Sequence, residues 1–115
     1  MKFLCLYRPG TPESNDPPSE ENMREMGALI AHMAKAGVLL ATEGCLPSDR
    51  GAKLRITSGK YTVTDGPFPE TKELVCGFCL LQVKDKAEAV EWSKRFLAVV
   101  KVGECEIRQI NEMPA

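Results

Sequence analysis

What this chain lacks excludes several functions before any motif is considered. It has almost no charge surplus, with 15 basic against 16 acidic residues and a net charge of -1 at pH 7. A nucleic-acid surface needs a strongly basic face, so no nucleic-acid partner is expected. Histidine is nearly absent: His32 stands alone, and scattered carboxylates offer no ligand spacing, so neither a metal nor a cofactor is expected. No glycine-rich loop opens a helix to cradle phosphates. Ser48 and Ser58 have no base partner, which argues against a serine hydrolase. No apolar run approaches the ~20 residues of a membrane helix. The opening "MKFLCLYRPG" is too short for the apolar region of a signal peptide and has no cleavage site, which reads as a cytoplasmic protein without a membrane partner.

What is present fits one compact unit. The chain has 115 residues, 43% hydrophobic and 27% charged, enough for a single core over residues 1–115. The five cysteines, Cys5, Cys45, Cys76, Cys79 and Cys105, are odd in number and irregular in spacing, so no disulfide framework is expected. Cys76-Gly77-Phe78-Cys79 has the C-x-x-C form. It sits in an apolar run that reads as a strand, where residues three apart face opposite ways. The thiols therefore read as inert core groups.

Periodicity places the elements. "KFLCLY" (2–7) reads as a strand ended by Arg8-Pro9-Gly10, and "TPESNDPP" as a polar loop. Ser19 caps a helix whose first turn holds Glu20 and Glu21. Met23, Met26, Leu29, Ile30 and Met33 form its inner stripe, and Lys35 and Gly37 mark its end. His32 falls about 200° around from Ile30 and faces solvent. "VLLATEG" (38–44) is a second strand. Residues 53–57 and 60–64 alternate around Ser58-Gly59 as a hairpin, with Leu54, Ile56, Tyr61 and Val63 on one face. "LVCGFCLLQV" (74–83) is a long apolar strand. Asp85 and Glu88 have capping-box spacing and open a second helix, with Trp92 at the margin of its buried face. After Gly103, residues 104–110 form a last strand. Without the hairpin the order is β-α-β-β-α-β, an α+β, ferredoxin-like pattern with two helices on one face of an antiparallel sheet.

Two strands are apolar on both faces. Phe3, Cys5 and Tyr7 oppose Leu4 and Leu6, while Cys76, Phe78 and Leu80 oppose Val75, Cys79 and Leu81. A strand apolar on both sides is buried on both sides. Two helices cover one face, so the other needs a cover. A second copy, sheet against sheet, supplies one, and the expectation is a homodimer closing a dimeric α/β barrel. The alternative cover is the chain's own hairpin.

"TVTDGPFPETKELV" (62–75) is the most specific stretch. Prolines 67 and 69 cannot donate to a ladder, so the strand ends near Asp65 and a stiff turn follows. That turn either positions the Asp65 carboxylate for chemistry or uses it as an Asx-type brace. Lys72, between Glu70 and Glu73, reads as a solvated ion-pair cluster. "VTDGPFPETKE" resembles the signature of the DGPF branch of the YciI-like family. "KAGVLLATEGCLP", the opening "MKFLCLYRPG" and the closing "VKVGECEIRQINEM" resemble the rest of that family's chain. The resemblance implies a ferredoxin-like domain and dimeric α/β barrels. It also implies little fixed activity: most relatives have no assigned reaction. A wider branch contains a dehydrochlorinase of a small aromatic ring that uses a His-Asp pair. Here Asn22 and Met23 stand where that histidine would be.

The fold brings Asp65 and Phe68 toward the ends of the first two strands, so the expected pocket holds Asp65 as acid, base or orienting carboxylate, with Tyr7, Arg8, Glu43, Gly44 and Phe68 binding a ligand. An ordinary carboxylate is a poor base near neutrality unless burial raises its pKa. Arg8 suits a planar anion. The expected ligand is a small aromatic or carboxylate compound. The competing reading is a non-catalytic regulatory or interaction module, since genes for DGPF relatives often lie beside those for alternative sigma factors.

Overall fold

Eight regular elements build the chain in its computed structural model, which describes residues 1–14 and 16–113. Residue 15, in the expected polar loop, and residues 114 and 115 lie outside the described residues. The order is β1 (Lys2–Arg8), α1 (Glu20–Lys35), β2 (Leu39–Gly44), β3 (Ala52–Thr57), β4 (Lys60–Asp65), β5 (Gly77–Gln82), α2 (Lys86–Val100) and β6 (Glu104–Gln109). Four strands form an antiparallel sheet in the order β2-β5-β1-β6, while β3 and β4 pair only with each other. With that hairpin set aside, the order is the ferredoxin-like one.

Local chemistry starts and stops the helices. Ser19 Oγ accepts from the Asn22 amide at 3.0 Å and opens α1. Asp85 Oδ1 accepts from the Glu88 amide at 2.9 Å and opens α2. Glu88 does not answer the cap residue itself. It accepts instead from the Lys84 amide at 2.9 Å and from Trp92 Nε1 at 3.3 Å. Trp92 is thereby drawn further in than its marginal helical position implies, to 9% exposure. His32 is exposed, as expected, with its ring 5.4 Å from that of Trp92.

The core lies between the helices and one face of the sheet. Phe3, Cys5, Leu81 and Val83 meet Met33, Ala89 and Trp92 there, and Leu81 has no exposed surface. The inner stripe of α1 is narrower than its spacing predicts: Met33 is buried, Met26 and Leu29 are half-buried, and Met23 and Ile30 are exposed. The strand expected over 74–83 begins only at Gly77, because the segment before it carries a short turn at Thr71–Glu73.

The opposite face of the sheet carries Leu4, Leu6, Phe78 and Leu80, all half-buried. Both helices lie on the other side. The described residues span only 18 Å along their shortest axis, the depth of one sheet plus one helix layer of about 10 Å. The hairpin does not fold over this face. In its register Leu54 faces Val63 and Ile56 faces Tyr61, and these residues remain 67%, 63%, 58% and 72% exposed. The apolar face of the hairpin was legible in its alternation, whereas its expected alternative role as an intramolecular cover is not met. Among the described residues, no helix is long and apolar enough to cross a membrane.

Leu81→Ala should lower unfolding free energy by about 3 kcal/mol in urea titration, since a fully buried leucine leaves a cavity when truncated. A loss below about 1 kcal/mol would place the core elsewhere.

Candidate functional site

A cleft of about 270 Å³ opens between the helix layer and the sheet. Leu29, Ile30 and Met33 of α1 form one wall; Trp92, Ser93 and Phe96 of α2 form another. The floor carries Cys5 and Tyr7 of β1, Cys79 and Leu81 of β5, and Cys105 of β6. At its mouth are Thr42, Glu43 and Gly44 at the end of β2, beside Cys76 and Gly77. The lining is overwhelmingly apolar. Its hydroxyls are already committed: Thr42 Oγ1 donates to the Phe78 carbonyl at 3.0 Å, and Ser93 Oγ donates to the Ala89 carbonyl at 2.8 Å.

Tyr7 is the expected site residue that most clearly belongs here. Its ring meets Phe96 edge-on at 5.0 Å. Its hydroxyl donates to the Val102 carbonyl at 2.7 Å, tying β1 to the α2–β6 connection. Burial raises its pKa, and the neighbouring thiols Cys76 and Cys105 add to the effect, so the phenol keeps its proton. Gly103, at φ +98°, lets that connection pass close over Arg8 and Tyr7; any side chain there would strike both.

The other expected residues separate. Gly44 and Glu43 border the mouth, but Glu43 is exposed and pairs with Phe78, on the sheet face shared with Leu6. Arg8 is not a cleft residue. It binds Glu106 at 2.9 Å, and Arg108 holds the same carboxylate at 3.1 Å. Glu106 is held below the usual carboxylate range, first by Arg108 and also by Arg8. Asp65 also lies outside the cleft lining. It is exposed, ends β4 opposite Ala52, and among the described residues its carboxylate makes no hydrogen bond or ion pair. It therefore does not brace the turn in the Asx manner.

The brace comes from residues that the sequence reading passed over. Glu13 accepts from both the Ser48 amide and the Ser48 hydroxyl, each at 2.6 Å. Ser48 Oγ in turn accepts from the Phe68 amide at 2.9 Å. Gly66 packs so tightly on the Ser48 carbonyl that a Cβ would overlap it, and its amide donates to the Gly51 carbonyl at 3.0 Å. The Gly66–Pro67 bond is cis. Phe68, half-buried, lies under the Lys53 ammonium at 4.4 Å, and Lys53 pairs with Glu73. Lys72 remains a loose exposed partner of Glu70 at 3.8 Å. The only hint of this brace in the sequence is a serine in the loop after β2, and nothing in the spacing links it to Glu13.

The turn is connected to the cleft lining through the chain after β2. Gly44 lines the mouth, Cys45 donates to the Cys76 carbonyl at 2.8 Å, and three residues further on Ser48 seats the turn. The thiols also differ from expectation. Cys76 precedes β5, so strand alternation does not separate it from Cys79, and both line the cleft. Cys45 is exposed rather than core. Among the described residues, no group of three or more histidine, cysteine or acidic side chains could hold a metal ion.

Comparison with known proteins agrees with this architecture. The family model of the YCII-related domain matches residues 1–114. The chain belongs to the YCII-related domain family. An uncharacterised protein of Rhizobium meliloti (strain 1021) is 35% identical over 75 residues, 65% of this chain and 60% of that protein. The matched region thus spans under two thirds of that relative's length. A YCII-related chain of this kind also resembles a solved 5-chloro-2-hydroxyhydroquinone dehydrochlorinase from Burkholderia phenoliruptrix AC1100, in complex with 2,5-dihydroxybenzoquinone. The TM-score is 0.51 at 11% identity, over 98% of this chain and 96% of that one. At that identity the likeness is one of fold.

Ser48→Ala should cost about 1–2 kcal/mol, because the Phe68 amide and one Glu13 oxygen lose their partner while the Ser48 amide keeps the other. Gly66→Ala should cost more, since its clash is with backbone. Amide exchange is the sharper test: protection should fall first at Gly66 and Phe68. Unchanged protection there in Ser48→Ala would remove the brace from the account.

Proposed function

We propose that the protein, as a DGPF-branch member of its family, binds a small aromatic or carboxylate compound in the cleft, and acts as a small-molecule binder or small enzyme. The observation that carries this reading is the cleft itself, an apolar cavity of about 270 Å³ between α1, α2 and the sheet. An apolar protein cavity of about 150 Å³ already takes up benzene, so a substituted six-membered ring fits. The fold relative solved with 2,5-dihydroxybenzoquinone supports a ligand of this size.

The working form is a homodimer. Among the described residues, the far face of the sheet presents half-buried apolar side chains and the hairpin presents exposed ones. Covering several hundred Å² of such surface is worth on the order of 10 kcal/mol before association costs. Sheet-to-sheet packing of two copies would give the dimeric α/β barrel. In this form Asp65, on its braced turn, is the proposed acid, base or orienting carboxylate. Arg8, Glu43 and Phe68 act on the rim, while Tyr7 and Gly44 contribute to the cleft. His32, packed on Trp92, is not assigned to a His-Asp pair.

A second reading has its own observation. The hairpin's four exposed apolar side chains also suit a regulatory or interaction module, including one linked to sigma-factor-dependent transcription. The cleft distinguishes the two readings.

A thermal-shift screen of small aromatic alcohols and acids should find compounds that raise Tm by a few degrees. Ile30→Trp, which fills the cleft from an exposed wall position, should abolish the shift. Asp65→Asn should leave binding of neutral rings intact and weaken or reorient ligands that hydrogen-bond to it. If no compound shifts wild type, or Ile30→Trp leaves the shift unchanged, the cleft is not the binding site.

A further inference from the structure

We propose that the cleft is a covalent capture site for small, neutral α,β-unsaturated carbonyl compounds, with Cys5 as the attacking thiol and Cys79 as the group that prepares it. This rests on the cleft being the ligand site. It adds what that ligand meets there.

Four of the five cysteines, Cys5, Cys76, Cys79 and Cys105, line this one cavity. Two of them are directly apposed. Cys5 faces Cys79 in the β1–β5 register. Met1 and Val83, four residues away along the same ladder, exchange backbone hydrogen bonds in both directions. Bonded pairs alternate along an antiparallel ladder. Phe3–Leu81 and Cys5–Cys79 are therefore bonded pairs too, with Cα atoms about 5.5 Å apart and side chains on the same face. Ser93 Oγ lies 3.6 Å from Cys5 Sγ.

The environment divides the thiols. Hydrogen bonding from Cys79 lowers Cys5 to about 7 against the cost of burial, and Ser93 adds to the effect. The same pairing, together with burial, pushes Cys79 far up. The pair thus gives up one proton near neutrality and holds the second. Burial pushes Cys105 up to about 11 and raises Cys76. One soft nucleophile therefore stands in an apolar cavity among three thiols that stay protonated.

That combination selects a chemistry. The apolar walls around the Cys5 sulfur favour neutral reagents over charged ones at that atom. The lining hydroxyls have committed their protons, and the nearby carboxylates lie at or beyond the rim, so hydrolysis has no machinery here. A thiolate needs none of it to add to a conjugated carbonyl. The Cys5 sulfur forms a bond to the β-carbon, the C=C π bond breaks, and its electron pair moves to the carbonyl oxygen. A solvent proton entering at the mouth then quenches the enolate at the α-carbon. The thiolate's own proton has already gone to solvent, so one S–H has added across one double bond. Nothing is oxidised or reduced, and no co-reactant is required.

The test uses the whole chain with cyclohex-2-enone, its saturated analogue cyclohexanone, and a negatively charged methanethiosulfonate, read by intact mass and peptide mapping. Cyclohexenone should modify Cys5 at least ~10-fold faster than the exposed Cys45 at pH 7, while the anionic reagent marks Cys45 and spares Cys5. The Cys5 rate should rise with pH through about 7 and then level off, since its thiolate is populated above that value. Cys79→Ala removes the donor and should move that midpoint upward and slow the reaction at pH 7. Because it leaves Cys5 in place, it remains informative if Cys5→Ala folds poorly. If cyclohexanone raises Tm but cyclohexenone leaves Cys5 unmodified, covalent capture is overturned and the cleft still binds. If cyclohexanone gives no shift and cyclohexenone marks only Cys45, both the capture and the cleft reading fall.

Discussion

Strand β1 is the constraint from which the rest follows. It is paired on both sides, to β5 and to β6, so its backbone can go nowhere else. Its side chains are apolar in both directions, with Phe3, Cys5 and Tyr7 under the helices and Leu4 and Leu6 away from them. A strand of that composition at the centre of a sheet requires two covers. The helices supply one, and the way they supply it leaves a cleft above Cys5 and Tyr7 rather than a fully packed layer. Among the described residues no element supplies the second cover, and this motivates the dimer in the proposed function.

Backbone pattern was the legible part. The strand order, both helix N-caps and the apolar face of the hairpin follow from period and capping chemistry, which act over a few residues. Asp85 illustrates where this stops. Its cap was readable, but the reach of Glu88 to Lys84 and Trp92, which buries the tryptophan, depends on three-dimensional placement. The thiols show the same limit. Alternation would have parted Cys76 from Cys79 had both lain in β5, and the strand's late start at Gly77 removes that premise. No spacing rule connects Cys5 with Cys79 or Cys105, because each comes from a different strand.

The candidate site was legible only in part, for a related reason. The turn at Asp65–Pro69 carries the two prolines that end the strand, but it is held from outside by Glu13 and Ser48. Tyr7 and Gly44 reach the cleft, whereas Arg8 is engaged by Glu106 on the edge strand. Asp65 stands exposed and outside the cleft lining.

Sedimentation equilibrium over micromolar concentrations tests the missing cover most directly, on wild type beside Leu80→Glu, which puts a charge at the centre of the far face. The account requires twice the 12.7 kDa chain mass for wild type and a shift toward single chains for the variant. A wild-type chain that sediments alone throughout that range, with its far face in water, would contradict it.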